Sequence, residues 1–214
     1  MRYMVLTASA AAFLLSSCGP KKLELPADPV DRAASCAVVS AIEARTSSPN
    51  AKGGLSFDAQ SKIIHHAMLA ASESGTFSSD IASAVVKRMS DVEKPISDGQ
   101  WQDLQAPCAA AFPAASKSEG VELPAARFDA QLGCYALDDF ITRSVTSSDP
   151  EAETRATSYG DLRRKLDSPI AAGLRARGAS TYEKSQAAKD KALARMSKLG
   201  TPSAVMKLCT ERYS

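Results

Sequence analysis

The sequence predicts an all-α protein, and two observations support this. Ala and Ser are abundant while β-branched runs are scarce, and aromatic residues make up only 6% of the 214 positions, a balance that favours helices over sheet. Apolar residues also recur at helical spacing in segments separated by Pro- and Gly-containing loops. A chain of this length, 44% hydrophobic and 23% charged, can build one core or two small fused units.

The charge balance argues against one broad class of function. Lys and Arg number 26 and Asp and Glu 24, which gives a formal charge of +2. General nucleic-acid binders take much of their affinity from a strongly basic face. We therefore expect no nucleic-acid partner.

The first 17 residues have the pattern of a signal peptide. Arg2 is followed by an apolar run from Met4 to Leu15, which is too short to cross a bilayer as a stable helix. The next positions, Leu15-Ser16-Ser17-Cys18-Gly19, resemble the lipobox of bacterial lipoproteins, in which a Leu and two small residues precede the cysteine at the cleavage site. The resemblance covers residues 1–19 and implies nothing about the body of the protein.

The resemblance to bacterial lipoproteins implies lipidation of Cys18. The leader would be cut before Cys18, its thiol would carry a diacylglyceryl group, and the new amino terminus would receive a fatty acid such as palmitate. Two or three acyl chains hold a protein firmly on a membrane. Because Gly19 rather than Asp follows the cysteine, we expect the outer membrane, facing the periplasm, rather than the inner membrane. The alternative is an ordinary secretory leader that contains a cysteine.

We expect residues 18–30, the lipidated cysteine and the Pro-rich segment after it, to form an extended tether. Pro20, Pro26 and Pro29 make the segment after Cys18 a poor helix or strand. At roughly 3.1 Å per residue, a polyproline-like chain of this length would hold the body up to about 35 Å from the lipid surface.

The body divides into a first half (residues 31–113), a connection (114–127) and a second half (128–214). The spacing of apolar residues predicts four helices in each half. In the first half they are expected over about 31–46 with Asp31 as N-cap, from Ser56 to about Gly75, from Ser78 or Ser79 to a break at Pro95–Gly99, and around Cys108 up to Pro113. In the second half they are expected around Cys134, over Tyr159–Leu174 with Pro169 kinking the helix or starting a new one, over Thr181–Lys198, and from Pro202 to Cys209.

The two halves share several features at similar spacing. Cys36 and Cys108 are 72 residues apart, and Cys134 and Cys209 are 75 apart. Arg-Met-Ser also occurs late in the third helix of each half, starting at Arg88 and at Arg195. The pattern leaves two interpretations open, namely duplication of a four-helix unit and a single undivided helical domain.

Four cysteines remain when Cys18 is lipidated, and we expect two disulfides in an oxidising compartment. Three pairings are open, and the duplication interpretation prefers Cys36 with Cys108 and Cys134 with Cys209. A zinc site is a poor alternative, because no two of these cysteines lie within four residues of each other.

The histidines, His65 and His66, are weak candidates for metal ligands. Adjacent helical residues point about 100° apart, so the pair does not form the face that ligands at i and i+4 provide. We expect one ring to pack in the core and the other to meet water. Triad chemistry is not indicated, since no Gly-x-Ser-x-Gly turn accompanies them.

Acidic pairs offer two further candidates for chemistry. Glu73-Ser74 resembles the catalytic Glu-Ser pair of lytic transglycosylases, but the Gly-Leu-Met-Gln-like segment of that family has no counterpart downstream. Asp138-Asp139 are helical neighbours that diverge, and we expect them on a solvated face.

The sequence therefore predicts a lipid-anchored envelope protein with no visible catalytic set. We expect a non-catalytic interaction or scaffold module that contacts another envelope protein and needs no cofactor. A small-ligand or metal-binding periplasmic protein is the alternative, and a cell-wall-acting enzyme is the least favoured class.

Overall fold

The computed structural model describes residues 22–48, 53–145 and 150–213, and all regular secondary structure in these ranges is helical. The all-α prediction is confirmed. Cys18, the predicted signal peptide and the first residues of the predicted tether lie outside the described ranges. No helix in the ranges described is long and apolar enough to span a bilayer.

The first half contains four α-helices, with a 3-10 turn (Trp101–Leu104) leading into the last: α1 (Pro29–Ser47), α2 (Phe57–Ala71), α3 (Ser79–Ser97) and α4 (Gln105–Ala111). A second 3-10 turn, Pro113–Ser116, begins the connection. The second half contains α5 (Arg127–Ser144), α6 (Pro150–Ala176), α7 (Tyr182–Ser197) and α8 (Pro202–Tyr213).

Side-chain hydroxyl caps begin three of the helices at the residues where the sequence predicts a helix start. The hydroxyls of Ser56, Ser78 and Thr181 accept backbone N–H groups in the first turns of α2, α3 and α7. The prediction for α1 is wrong, because its N-cap is Asp28 rather than Asp31. Pro29 is already shaped for the first helical position, so the helix begins three residues earlier and Asp31 lies within its first turn.

Both internal prolines are accommodated within continuous helices. α3 continues through Pro95 and ends at Ser97, within the predicted break at Pro95–Gly99, and α6 passes Pro169 without ending. Proline removes one backbone hydrogen bond and crowds the preceding turn. Both prolines lie on exposed faces, where water can satisfy the carbonyl that loses its partner.

Two disulfides tie the first helix of each half to the last. The Sγ atoms of Cys36 and Cys108 are 2.02 Å apart and join α1 to α4. Those of Cys134 and Cys209 are 1.99 Å apart and join α5 to α8. This is the pairing that the duplication interpretation preferred, and both bonds lie within a half rather than between halves.

The helix α2 is shared by two hydrophobic cores. Its small residues Ala67, Ala70 and Ala71 pack into the core of the first half, while Phe57 and Met68 belong to the core of the second half. A helix that is apolar on several sides must be covered on several sides. The second half covers α2 with α7 and α8, so the two halves form a continuous body.

Polar contacts between α2 and the second half reinforce this packing. The guanidinium of Arg155 donates two hydrogen bonds to the Asp58 carboxylate, at 2.7 and 3.1 Å. The Phe57 and Tyr159 rings meet edge to face, with centroids 5.9 Å apart. The hydroxyls of Ser61 and Ser203 are 3.0 Å apart.

The predicted tether lies in part on the body. Residues 22–26 form no regular structure, but Leu23 and Leu25 pack against the core of the first half. The Leu23 N–H also donates a 3.2 Å hydrogen bond to Asp103. The last residues of the predicted tether thus belong to α1, which begins at Pro29, and Leu23 and Leu25 lie on the body.

Candidate functional site

An open groove lies between the two halves, with α3 on one side and α5 and α7 on the other. Its volume is about 900 Å³. Neither core fills it, because α2 holds the halves together along one side only and α3 does not pack closely on α7. We call it the inter-half groove.

The floor of the inter-half groove is apolar. Ile64 of α2 and Leu193 of α7 contribute aliphatic side chains. The rings of Phe77 and Phe140 meet edge to face with centroids 5.2 Å apart. The Phe77 N–H donates to the Asp190 carbonyl at 3.2 Å, which fixes the segment before α3 against α7.

The rim of the groove exposes large apolar side chains. Val86 on α3 is 44% exposed and Tyr182 at the start of α7 is 76% exposed. The helical spacing of Ile81, Val85 and Val86 on α3 predicts that they share one face, and the structure buries only one of them. Val85 is buried, whereas Ile81 and Val86 are exposed, because the apolar stripe of α3 is wider than the surface that α1 and α2 cover.

The charged groups of the groove are unequally paired. Asp139 forms ion pairs with Arg143 and, at 3.6 Å, with Arg163. The Lys189 ammonium lies 5.1 Å from the centroid of the Tyr135 ring. Neither Lys189 nor Lys87 forms an ion pair with a carboxylate in the part of the chain that the structure describes. The lining therefore combines an apolar floor with three cations (Lys87, Arg143, Lys189) and two carboxylates (Asp139, Asp190), an excess of one positive charge.

A buried acid lies behind the groove wall. The Asp138 side chain is 0% exposed, so the prediction of a solvated face is wrong for this residue. The guanidinium of Arg163 donates to Asp138 at 3.0 Å and the Thr142 hydroxyl at 2.9 Å. Burial raises the pKa of Asp138, and these hydrogen bonds offset the rise only in part. The α5–α6 contact covers the face that was expected to be open.

Both histidines are buried, and the prediction that one meets water is wrong. They point towards different halves, since α2 is covered on both sides. The His65 Nε2–H donates to the Ser197 carbonyl at 2.7 Å, satisfying a backbone group at the end of α7. The His66 Nε2 and the Ser40 hydroxyl are hydrogen-bonded at 3.0 Å. The sequence carried a signal for this, because no charged residue occurs between Lys62 and Glu73.

Burial also sets the charge state of the histidines. Desolvation lowers the pKa of His65 to about 4, against a smaller opposing effect of its bond to Ser197. Desolvation, followed by the positive charges of His65 and Lys62, lowers the pKa of His66 to about 3. Both rings are therefore neutral at physiological pH.

The Ser40–His66 pair lines a small cleft of about 160 Å³. A hydroxyl 3.0 Å from an imidazole matches the distance of a nucleophile and its base. However, His66 Nδ1 has no hydrogen-bond partner among the described residues, so no third group orients the ring. Its low pKa also makes it a poor proton acceptor near neutral pH. The pair is better explained as a contact between α1 and α2.

The remaining candidates do not assemble into a site. Across residues 22–48, 53–145 and 150–213, no three or more His, Cys, Asp or Glu side chains cluster as metal ligands would. Glu73 is half exposed at the end of α2 and forms a 3.6 Å ion pair with Arg32. The groove was not predicted, because it depends on how two halves distant in sequence meet.

Comparisons with protein families, curated proteins and solved structures gave no match for this chain. The fold and the groove therefore define the protein by its architecture alone. It is an all-α protein with one disulfide in each half, a central helix shared by both halves and an inter-half groove.

Proposed function

We propose that the protein is a lipid-anchored module of the bacterial envelope that acts without catalysis, by docking another envelope protein in the inter-half groove. The groove is the observation that supports the proposal, because its apolar floor lies beside the exposed side chains of Val86 and Tyr182. Exposed apolar side chains that line a concavity mark interaction surfaces more often than isolated ones do. Tyrosine is also enriched among residues that dominate binding energy.

The docking surface can be mapped in cells by photo-crosslinking. A photoreactive amino acid at Val86 or Tyr182 should crosslink to one defined envelope protein, and the purified pair should reproduce the crosslink. Lys94 is the matched control, since it lies on α3 with a side chain 84% exposed and outside the groove lining. Equal crosslinking from Lys94, or none from the groove positions, would refute the docking proposal.

The anchor is proposed to be lipid on Cys18, as the lipobox-like segment implies. Because Leu23 and Leu25 bind the body, the free part of the tether would comprise about five residues. At about 3.1 Å per residue it would hold the body within roughly 15 Å of the membrane. The Cys18→Ala variant should lose palmitate labelling and membrane partitioning, and a variant that retains both would contradict the anchor.

We also propose that the halves arose by duplication, on the basis of matching contacts. Asp31 and Asp129 each lie in the first turn of the first helix, five positions before a disulfide cysteine. The third helix of each half pairs with that carboxylate: Arg88 with Asp31 at 2.7 Å, and Arg195 with Asp129 at 3.2 Å. These arginines are the ones that begin the two Arg-Met-Ser segments. Superposing the backbone of α1–α4 on α5–α8 tests this, and a different path of the third helices would refute it.

A second candidate function is binding of a small ligand in the same groove. The volume of about 900 Å³ is within the range of small-molecule sites. Native mass spectrometry of the purified protein separates the two functions. A bound small molecule that disappears in Val86→Arg would favour a ligand carrier over a docking module.

A further inference from the structure

We propose that the occupant of the inter-half groove is an amphipathic helix of about three turns, carrying acidic residues along one edge and supplied by a partner protein. This inference rests on the proposed docking function and names the chemistry of the partner. It follows from three properties of the groove, namely its length, its apolar floor and the excess of positive charge that its two unpaired lysines give it.

The length of the groove fits a short helix. Its lining extends along α7 from Tyr182 to Leu193, and along α3 from Ser79 to Lys87. Twelve helical residues at about 1.5 Å each extend about 18 Å, or three turns. A helix lying between α3 and α7 would therefore use the whole groove.

The apolar floor fits one face of such a helix. Ile64, Phe77, Phe140 and Leu193 form a continuous apolar surface between the two walls. An amphipathic helix presents side chains at i, i+3, i+4 and i+7 to a groove of this kind. Val86 and Tyr182, one on each wall, would close over the bound helix and lose their contact with water.

The charge of the groove favours acidic residues on the bound helix. Lys87 lies on the α3 side and Lys189 on the α7 side, and neither has a carboxylate partner among the described side chains. By contrast, Asp139 is already paired with Arg143 and Arg163. Asp190 keeps its negative charge, because Gln186, which donates a 2.9 Å hydrogen bond to it, is neutral. The lining therefore holds three cations (Lys87, Arg143, Lys189) against two carboxylates (Asp139, Asp190), an excess of one positive charge. Unpaired cations at the rim of an interface select for partners of opposite charge.

The open shape of the groove favours a peptide over an acyl chain. An acyl chain is held most tightly in an enclosed channel, since every methylene group left in water contributes no burial free energy. The groove is open to solvent along its rim, where Tyr182 is largely exposed. An amphipathic helix suits this shape because its outer face is polar.

The test is a selection from displayed peptides. A library of helical peptides of about three turns, randomised on one face, would be selected for binding to the full chain in lipid nanodiscs at physiological salt. Enriched peptides should carry apolar residues at helical spacing with Asp or Glu beside them. They should bind at least tenfold more weakly to the charge-reversed variant Lys87→Glu/Lys189→Glu, and that variant should instead bind the same peptides with Lys in place of Asp and Glu.

A matched control has the same change in net charge outside the groove. Lys165 on α6 and Lys191 on α7 are exposed and do not line the groove, so Lys165→Glu/Lys191→Glu should bind the peptides within twofold of the parent protein. Circular dichroism would establish that both variants are folded. Lys87, Lys165 and Lys191 are exposed, and Lys189 is half-buried beside the Tyr135 ring. None of the four belongs to either core.

Three results would overturn the inference. Enriched peptides could be basic or uncharged, the control could weaken binding as much as the groove variant, or native mass spectrometry could show a lipid in the groove instead. Crosslinking from Val86 and Tyr182 to a protein partner would still support the docking function in the first two cases. Absence of any groove crosslink would remove the docking function itself.

Discussion

Gly133 lies in α5 beside the disulfide cysteine Cys134, where α5 packs against α7. A Cβ at this position would lie 2.5 Å from Sδ and 2.6 Å from Cγ of Met196, and Met196 is only 1% exposed. Gly133→Ala should gain about 1 kcal/mol from helix propensity. Overpacking in a filled core costs about 1–3 kcal/mol, and the upper part of that range applies because Cγ is close to the backbone. We expect a net loss of about 1–2 kcal/mol.

Gly160 on α6 provides the matched control. Its added methyl group would meet only the Arg164 guanidinium, at 3.7 Å, so Gly160→Ala should stabilise the protein by up to about 1 kcal/mol. In a protein of this size, thermal unfolding followed by circular dichroism should show a decrease of roughly 3–6 °C in the first variant and an increase of about 2–4 °C in the second. An equal increase in both would refute the close packing of α5 on α7.

The disulfides and the buried acid give two further predictions. Replacing either cysteine pair, Cys36 with Cys108 or Cys134 with Cys209, by Ser should lower the free energy of unfolding by about 4 kcal/mol. The two losses should be similar, because the closed loops of 72 and 75 residues are nearly equal. Urea titrations in which the two losses differ by more than about 2 kcal/mol would contradict equal loop-closure effects. Arg163→Met should lower the free energy of unfolding by about 3 kcal/mol at neutral pH, because it leaves Asp138 charged and buried without its partner. Asp138→Asn should lower it by less, because Arg163 keeps its ion pair with Asp139. Burial raises the folded-state pKa of Asp138, so as pH falls the folded state binds a proton before the unfolded state does. The stability loss in Arg163→Met should therefore become smaller on acidification. A stability loss that grows at lower pH would refute the assignment of Asp138 as a buried, charged partner of Arg163.

Local features of the fold could be predicted from the sequence where a local rule applies. The hydroxyl caps Ser56, Ser78 and Thr181 begin helices as expected, because a cap satisfies N–H groups within the same turn. The similar spacing of the cysteines, 72 and 75 residues, favoured the observed pairing under the duplication interpretation, while the sequence left three pairings open. Asp28 was missed because two acids, one on each side of Pro29, compete for the same role.

Features that depend on the contact between halves could not be predicted. One of the two histidines and Asp138 were expected to meet water, because periodicity in one helix cannot show that a distant helix covers a second face. The exposed position of Val86 was missed for the opposite reason. An apolar side chain on a regular helical stripe predicts burial, but the partner helices of α3 do not extend far enough to cover Val86. The candidate groove combines both kinds of error and is therefore a property of the tertiary structure alone.

The sharing of α2 leads to a prediction about the independence of the halves. The second half lacks a complete core without Phe57 and Met68 of α2, and burial of each such side chain contributes about 1.5–3 kcal/mol. Both disulfides lie within a half, so after cleavage in the exposed connection near Gly120 only non-covalent contacts join the pieces. We expect the cleaved halves to co-elute in gel filtration and to unfold together in one transition, as measured by circular dichroism. Halves that separate and yet each unfold cooperatively would show that α2 is not shared energetically, and that the protein is two domains rather than one.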